Sequence, residues 1–208
     1  MRFIWCMPRC RYHERSTYEH VKEVLKLIQH NKIENTIQLL ENKEPFPNSP
    51  VQPLLLGPVG RECHPKYLRY EEMTNAINTV LKVLDDLHQI KLCHCDVRWP
   101  NVILDIKENK FVLIDFEYAR MDGHDCPPIR EIFIHPKILD TKKWYAFGDT
   151  YQVILMIKRW MEHHRDISCD RLESRVLEKV EQQIQQSRTY SHCPCIILLV
   201  LLQDSCES

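Results

Sequence analysis

The segment that most restricts this chain lies near its middle. His94-Cys95-Asp96-Val97-Arg98-Trp99-Pro100-Asn101 leads into an apolar stretch, a polar turn and a second apolar stretch, Phe111-Val112-Leu113-Ile114, which ends at Asp115-Phe116-Glu117. Two apolar runs around a polar turn predict a hairpin, Val102–Leu104 against Phe111–Ile114. That hairpin carries Asn101 at its start to the neighbourhood of Asp115 at its end. Oxygen donors of this kind suit a hard divalent cation, and Asp96 precedes Asn101 by five residues. Taken singly, Asp96 or Asp115 reads as a surface carboxylate at a turn. An Asp, an Asn at this spacing, a hairpin and a second Asp together are hard to reach by chance.

The order resembles the catalytic loop and metal-binding triplet of protein kinases, H-x-D-x-x-x-x-N followed by a DFG-like triplet. The resemblance implies an α+β, protein-kinase-like fold with a mostly helical C-terminal lobe, and ATP and Mg2+ as cofactors. It makes Asp96 the group that accepts or orients the proton of an attacking hydroxyl and Arg98 a cation near the transferred phosphate. Asn101 and Asp115 then hold magnesium against the nucleotide phosphates. Leu54-Leu55-Leu56 followed by Gly57-Pro58-Val59-Gly60 stands where the family has its last small-lobe strand and the hinge under the adenine ring, so Leu56 and Val59 are the expected nucleotide contacts.

The rest of the chain falls into place around this segment. Ser16-Thr17-Tyr18-Glu19 forms a capping box, and Val21, Val24, Leu25 and Ile28 share a face of a helix over Thr17–His30. Residues 33–40 read equally as strand or helix, and the prolines of 44–50 predict a loop. Met73, Ile77, Val80, Leu81, Leu84 and Leu87 give the clearest helix, Glu72–His88. Met121–Arg130 corresponds to an activation segment, and His135-Pro136-Lys137 to the family's Ala-Pro-Glu. Gly148-Asp149 opens an apolar helix whose aspartate matches one that bonds back to the catalytic loop. A further amphipathic helix is expected over 170–187. The implied division is a small-lobe remnant over 1–56, a hinge at 57–60, a large lobe over 61–190 and an unplaced tail over 191–208.

Departures from the family pattern bear on activity. Three small-lobe strands need on the order of 20 to 25 residues, whereas fifteen precede Ser16, with no glycine and no lysine among them. The expectation is a truncated small lobe without the phosphate loop or the ATP-binding lysine. Glu117 replaces the glycine of the triplet, Cys95 the arginine before the catalytic aspartate, and Lys137 the glutamate of Ala-Pro-Glu. Ile114-Asp115-Phe116-Glu117-Tyr118-Ala119 also resembles choline and ethanolamine kinases, and aminoglycoside-type phosphotransferases share an acidic residue there. The Leu87-His88 helix end and the Asp149 helix start favour the protein-kinase branch, and Asp-Val-Arg-Trp-Pro-Asn is similar to divergent kinase-like domains expanded in fungi. The leading reading is thus an ATP-dependent protein kinase domain, on serine or threonine, inactive or not as this chain stands. The alternatives are a catalytically dead module that binds a protein partner and a small-molecule kinase of the choline type.

Composition adds exclusions. A net charge of −1 offers no basic surface for nucleic acid or an anionic membrane. The apolar stretch Phe3–Met7 is too short for a signal core, and no segment reaches the roughly 20 apolar residues of a bilayer span. Cytoplasmic or nuclear residence is the resulting expectation, with a protein substrate or partner. Ten cysteines show no zinc-ribbon spacing, so reduced thiols are the expectation.

Overall fold

The computed structural model describes residues 15–40, 54 and 56–164. The helix expected over 170–187, the apolar run 196–202 and residues 1–14 lie outside these. The first helix, α1 (Arg15–His30), buries Tyr18, Val21, Val24, Leu25 and Ile28, the face that the sequence spacing marks. Glu19 and Glu23 are exposed and serve as solvated helix charges. The ambiguous stretch after it resolves as a strand, β1 (Gln38–Leu39), antiparallel to β2 (Leu56–Gly57). Gln29 on α1 donates to the Leu39 carbonyl at 2.7 Å and fastens helix to strand.

Next come β3 (Arg61–Glu62) and α2 (Tyr70–Gln89). The helix begins two residues earlier than its apolar stripe indicates, because the Glu72 carboxylate reaches back to accept from the Arg69 N–H at 3.0 Å. The stripe itself is buried, with Ile77, Val80, Leu81, Leu84 and Leu87 at zero exposure. Each such side chain contributes about 1.5–3 kcal/mol relative to exposure. After α2 come β4 (Leu92–Cys93), β5 (Val102–Asp105), β6 (Lys110–Leu113) and β7 (Arg120–Met121).

The expected hairpin is β5–β6, in register from Val102↔Leu113 to Asp105↔Lys110, with β3 on its other edge. Its turn is set by Asp105, whose carboxylate accepts from Lys107 N–H at 2.9 Å, and by Asn109 at φ 52°. The second strand starts and stops one residue before the sequence reading. Ile114 leaves the ladder to donate to the Asn101 carbonyl at 2.9 Å, and Asp115 then takes φ 68°. Arg120–Met121 pairs with β4, so the segment read as Met121–Arg130 begins inside a strand.

The chain then forms α3 (Pro136–Thr141) and α4 (Ala146–His163). α4 starts ahead of Gly148 because the Gly148 N–H bonds the Tyr145 carbonyl at 2.7 Å and closes the first turn there. α2 packs against α4 and β6 and makes the centre of the core. The α1–β1–β2 unit joins this body through a parallel bridge, Ile37 N–H to the Leu113 carbonyl and Leu113 N–H to the Asn35 carbonyl, both 2.9 Å. No helix among the described residues is long and apolar enough to cross a membrane.

Candidate active site

The loop between β4 and β5 is held from below by one buried carboxylate. Asp149, on the first turn of α4, accepts four hydrogen bonds. Its Oδ1 takes the Cys95 N–H at 2.8 Å and Trp144 Nε1 at 3.0 Å, and its Oδ2 takes the His94 N–H at 2.8 Å and His88 Nε2 at 3.0 Å. Burial alone would push this carboxyl up; the His88 hydrogen bond and charge, with the Cys95 amide, outweigh it and hold Asp149 below the usual range. The cluster of His88, Cys93 and Asp149 is compact enough for a metal. The Asp149 oxygens are already committed to these donors, and burial pushes the Cys93 thiol far up, so the cluster is a structural anchor.

His94 is a buried bracket. The Asp96 N–H donates to its Nδ1 at 3.2 Å, which leaves the proton on Nε2 to be donated to the Ile114 carbonyl at 3.0 Å. One neutral imidazole thereby spaces the loop from the end of β6, and its ring packs on Phe116. Trp99 is a packed aromatic, its Nε1 donating to the Met156 carbonyl at 2.8 Å. Cys95 is fully buried, its thiol pushed well up by burial and the Asp149 charge.

On this frame Asp96 meets two partners. Asn101 Nδ2 donates to the Asp96 carbonyl at 2.8 Å and to its Oδ2 at 2.9 Å. Arg98 Nε lies 3.0 Å from the same Oδ2, an ion pair whose N–H is not aligned as a hydrogen bond. Because Ile114 N–H bonds the Asn101 carbonyl, Asp115 comes directly beside Asn101. Burial pushes the Asp115 carboxyl up, and the Asp96 charge adds a smaller push. Burial, then Asp115 and Asp96, push Glu117 up as well. Asp96, Arg98, Asn101 and Asp115 therefore converge on one spot, and Glu117 adds a third carboxylate to it. Three acidic side chains gathered beside Arg98, with Arg120 acting on Glu117, are the donor chemistry a divalent cation fits.

Leu56 and Val59 line one apolar cleft together with Ile37, Pro58, Ile103 and Ile114. Ile114 puts this cleft one residue from Asp115. The sequence reading singled out two of its walls and missed Ile37, Ile103 and Ile114, whose places depend on which strand faces which. It also missed Gln152, a buried amide bonded to the loop on both sides of Asp96. A polar residue on the inward face of an otherwise apolar helix was the available signal.

The choline/ethanolamine kinase family model matches residues 11–125. Among solved structures, the kinase PK-1 of Cydia pomonella granulovirus is similar in fold, with a TM-score of 0.57 and 19% identity over 72% of this chain. This chain spans 57% of the length of that structure. No curated protein matches the chain in sequence.

Proposed function

We propose, since this chain belongs to the choline/ethanolamine kinase family, that it carries the catalytic part of a phosphotransferase moving the γ-phosphate of ATP to the hydroxyl of a small amino alcohol. The family and the fold make it a kinase-like phosphotransferase; the acceptor is our reading. The observation that carries it is the third carboxylate. Glu117 stands where a protein kinase has glycine. Its carboxylate, with Asp96, Asp115 and the phosphates of a bound ATP, gives the site more negative charge than Arg98, Arg120 and one divalent ion neutralise, which favours a cationic acceptor. Tyr118, pushed up by burial and then by the charges of Glu117, Asp96 and Asp115, stands beside them as an aromatic face for such a cation.

In this reading Asp96 orients the acceptor hydroxyl and takes its proton as the new P–O bond forms, and the β–γ bond of ATP breaks with ADP leaving. Asn101 fixes the carboxylate rotamer through its amide. Arg98 offsets charge on the transferred phosphoryl group. Asn101 and Asp115 would hold magnesium, which supplies charge neutralisation to the phosphates when bound. Ile37, Leu56, Val59, Ile103 and Ile114 would cover the adenine ring.

A protein hydroxyl is the second reading, the one that the sequence ranked first. It draws support from Asp149, whose bonds to His94 and Cys95 are the arrangement expected of the protein-kinase branch. Labelled ATP offered with choline, with ethanolamine and with a mixed serine/threonine peptide decides between them. Transfer to an amino alcohol that Asp96→Asn abolishes supports the first reading. Transfer to peptide alone replaces it with the second, and transfer to none leaves a binding module.

A further inference from the structure

Cys95 and Asp115 both take a left-handed backbone, each at φ 68°, on the two sides of the site. Such a conformation in a residue with a Cβ costs of order 1–3 kcal/mol and persists only where the surroundings dictate it. For Cys95 the surroundings are two side chains of α4. Asp149 takes its N–H. Gln152, 1% exposed, takes its carbonyl and reaches past Asp96 as well. The Gln152 Nε2 donates to the Cys95 carbonyl at 3.0 Å, and its Oε1 accepts from the Val97 N–H at 2.7 Å.

Those two groups belong to the peptide units immediately before and after the Cα of Asp96. A planar primary amide bonded to both fixes the tilt of each peptide plane, and so the direction in which the Asp96 side chain leaves the backbone. The second Nε2 proton goes to the Phe133 carbonyl at 3.2 Å. Phe133 ends the short 3-10 turn Glu131–Phe133, in the segment that runs from the metal triplet to α3. One buried carboxamide therefore holds both sides of Asp96 and the end of that segment at once.

We propose that Gln152 is a positioning residue for phosphoryl transfer, one whose amide aims Asp96 and makes that aim depend on the seating of the Glu131–Phe133 turn. Whatever acceptor docks against this turn then acts on Asp96 through Gln152. The kinetic part rests on the phosphotransferase reading; the coupling part does not.

The test is Gln152→Met in the full chain, a change of similar length that keeps the packing and removes all three bonds. Steady-state kinetics should show kcat lowered about a hundredfold, as expected for a misaimed proton acceptor, with the KM for Mg-ATP within about twofold because the nucleotide walls are untouched. Amide exchange should quicken about tenfold at Val97 and, together with it, at Phe133 and Ile134. Unchanged kcat, or a KM that rises as kcat falls, overturns the positioning role. Faster exchange at Val97 without change at Phe133 and Ile134 overturns the coupling. If the unmodified chain transfers no phosphate to any acceptor, the functional reading fails on its own, and the exchange pattern still decides the coupling. If Gln152→Met does not fold, Gln152→Glu takes its place. Ionised, it sets a carboxylate against two carbonyls; protonated, it can donate to one of them. Protection at Val97 should then recover as pH falls, which it does not do in the unmodified chain. A deficit independent of pH overturns the proposal.

Discussion

At the scale of the residue, the site separates groups that act from groups that hold. Asp96→Asn keeps the shape and leaves an oxygen for the Asn101 amide, but removes the proposed proton acceptor. Phosphoryl transfer should fall by about 10²–10⁴-fold with the thermal midpoint nearly unchanged, as activity and calorimetry on one preparation will show. Activity that survives would place the proton elsewhere. Gly60 illustrates holding. A Cβ there would sit 2.5 Å from the Leu104 carbonyl oxygen, a backbone atom of β5. The chain leaving β2 thus crosses β5 closer than any side chain permits. Gly60→Ala should cost about 1–3 kcal/mol, read as a lower urea midpoint at constant slope.

At the scale of elements, α4 and α1 reach the site in different ways. α4 does so through Asp149, and removing one partner of a buried hydrogen-bonded pair costs about 3–5 kcal/mol. Asp149→Ala should lose that much in denaturant unfolding, a far larger effect than an exposed acid such as Glu108 would give. Because the Asp149 carboxyl titrates below its unfolded value near 3.9, its contribution is complete above about pH 4 and drains away as pH falls through the lowered value. α1 docks through His20, whose Nε2 lies 3.0 Å from the Ala119 carbonyl and 2.9 Å from Arg120 Nη1 on β7. Burial, then the Arg120 charge, hold His20 below its usual value against the weaker pulls of the Ala119 hydrogen bond and Glu23. The neutral ring is therefore the docked one. This contact is present above about pH 6.5 and is lost as pH falls through the lowered value, when the imidazolium meets the guanidinium. The protection of the α1 amides, their exchange relative to the intrinsic rate at each pH, should fall on acidification from pH 7 to 5, and His20→Gln should remove that pH step. A step that survives the substitution would assign it to another group.

At the scale of the whole molecule, the α1–β1–β2 unit and the helical body meet at the Thr36–Leu113 bridge and enclose the apolar cleft between them. A nucleotide that fills the cleft binds only the folded chain. At a hundredfold excess over Kd, Mg-ADP should stabilise it by about 2.7 kcal/mol, roughly 5–10 °C in thermal midpoint for a chain of this size. Asp115→Asn should erase the magnesium-dependent part of that shift. Ile103→Ala, which removes one wall, should raise the KM for ATP about five- to thirtyfold with kcat held. A shift indifferent to both changes would put the nucleotide somewhere else.

The sequence alone determined what depends on neighbours along the chain. The periodic stripe of α2 shows its inward face, because helix spacing is fixed by backbone geometry. The hairpin, and with it the adjacency of Asn101 and Asp115, is legible for the same reason: a two-strand ladder turns sequence spacing into spatial adjacency. The family signal lay in the same segment, since Asp115-Phe116-Glu117-Tyr118 marked the choline-kinase resemblance beside the protein-kinase one. Only the tertiary structure decided what depends on packing between distant segments. It resolved Gln38–Leu39, within the ambiguous 33–40 stretch, as a strand, since a two-residue strand takes its identity from the partner that it bonds. It brought Ile37 and Ile103 into one wall with Leu56, and it aimed the Gln152 amide at the two peptides around Asp96, 55 to 57 residues away. Periodicity reports which side of a helix faces inward, but the polar atom that it will meet there is fixed only when the other element arrives.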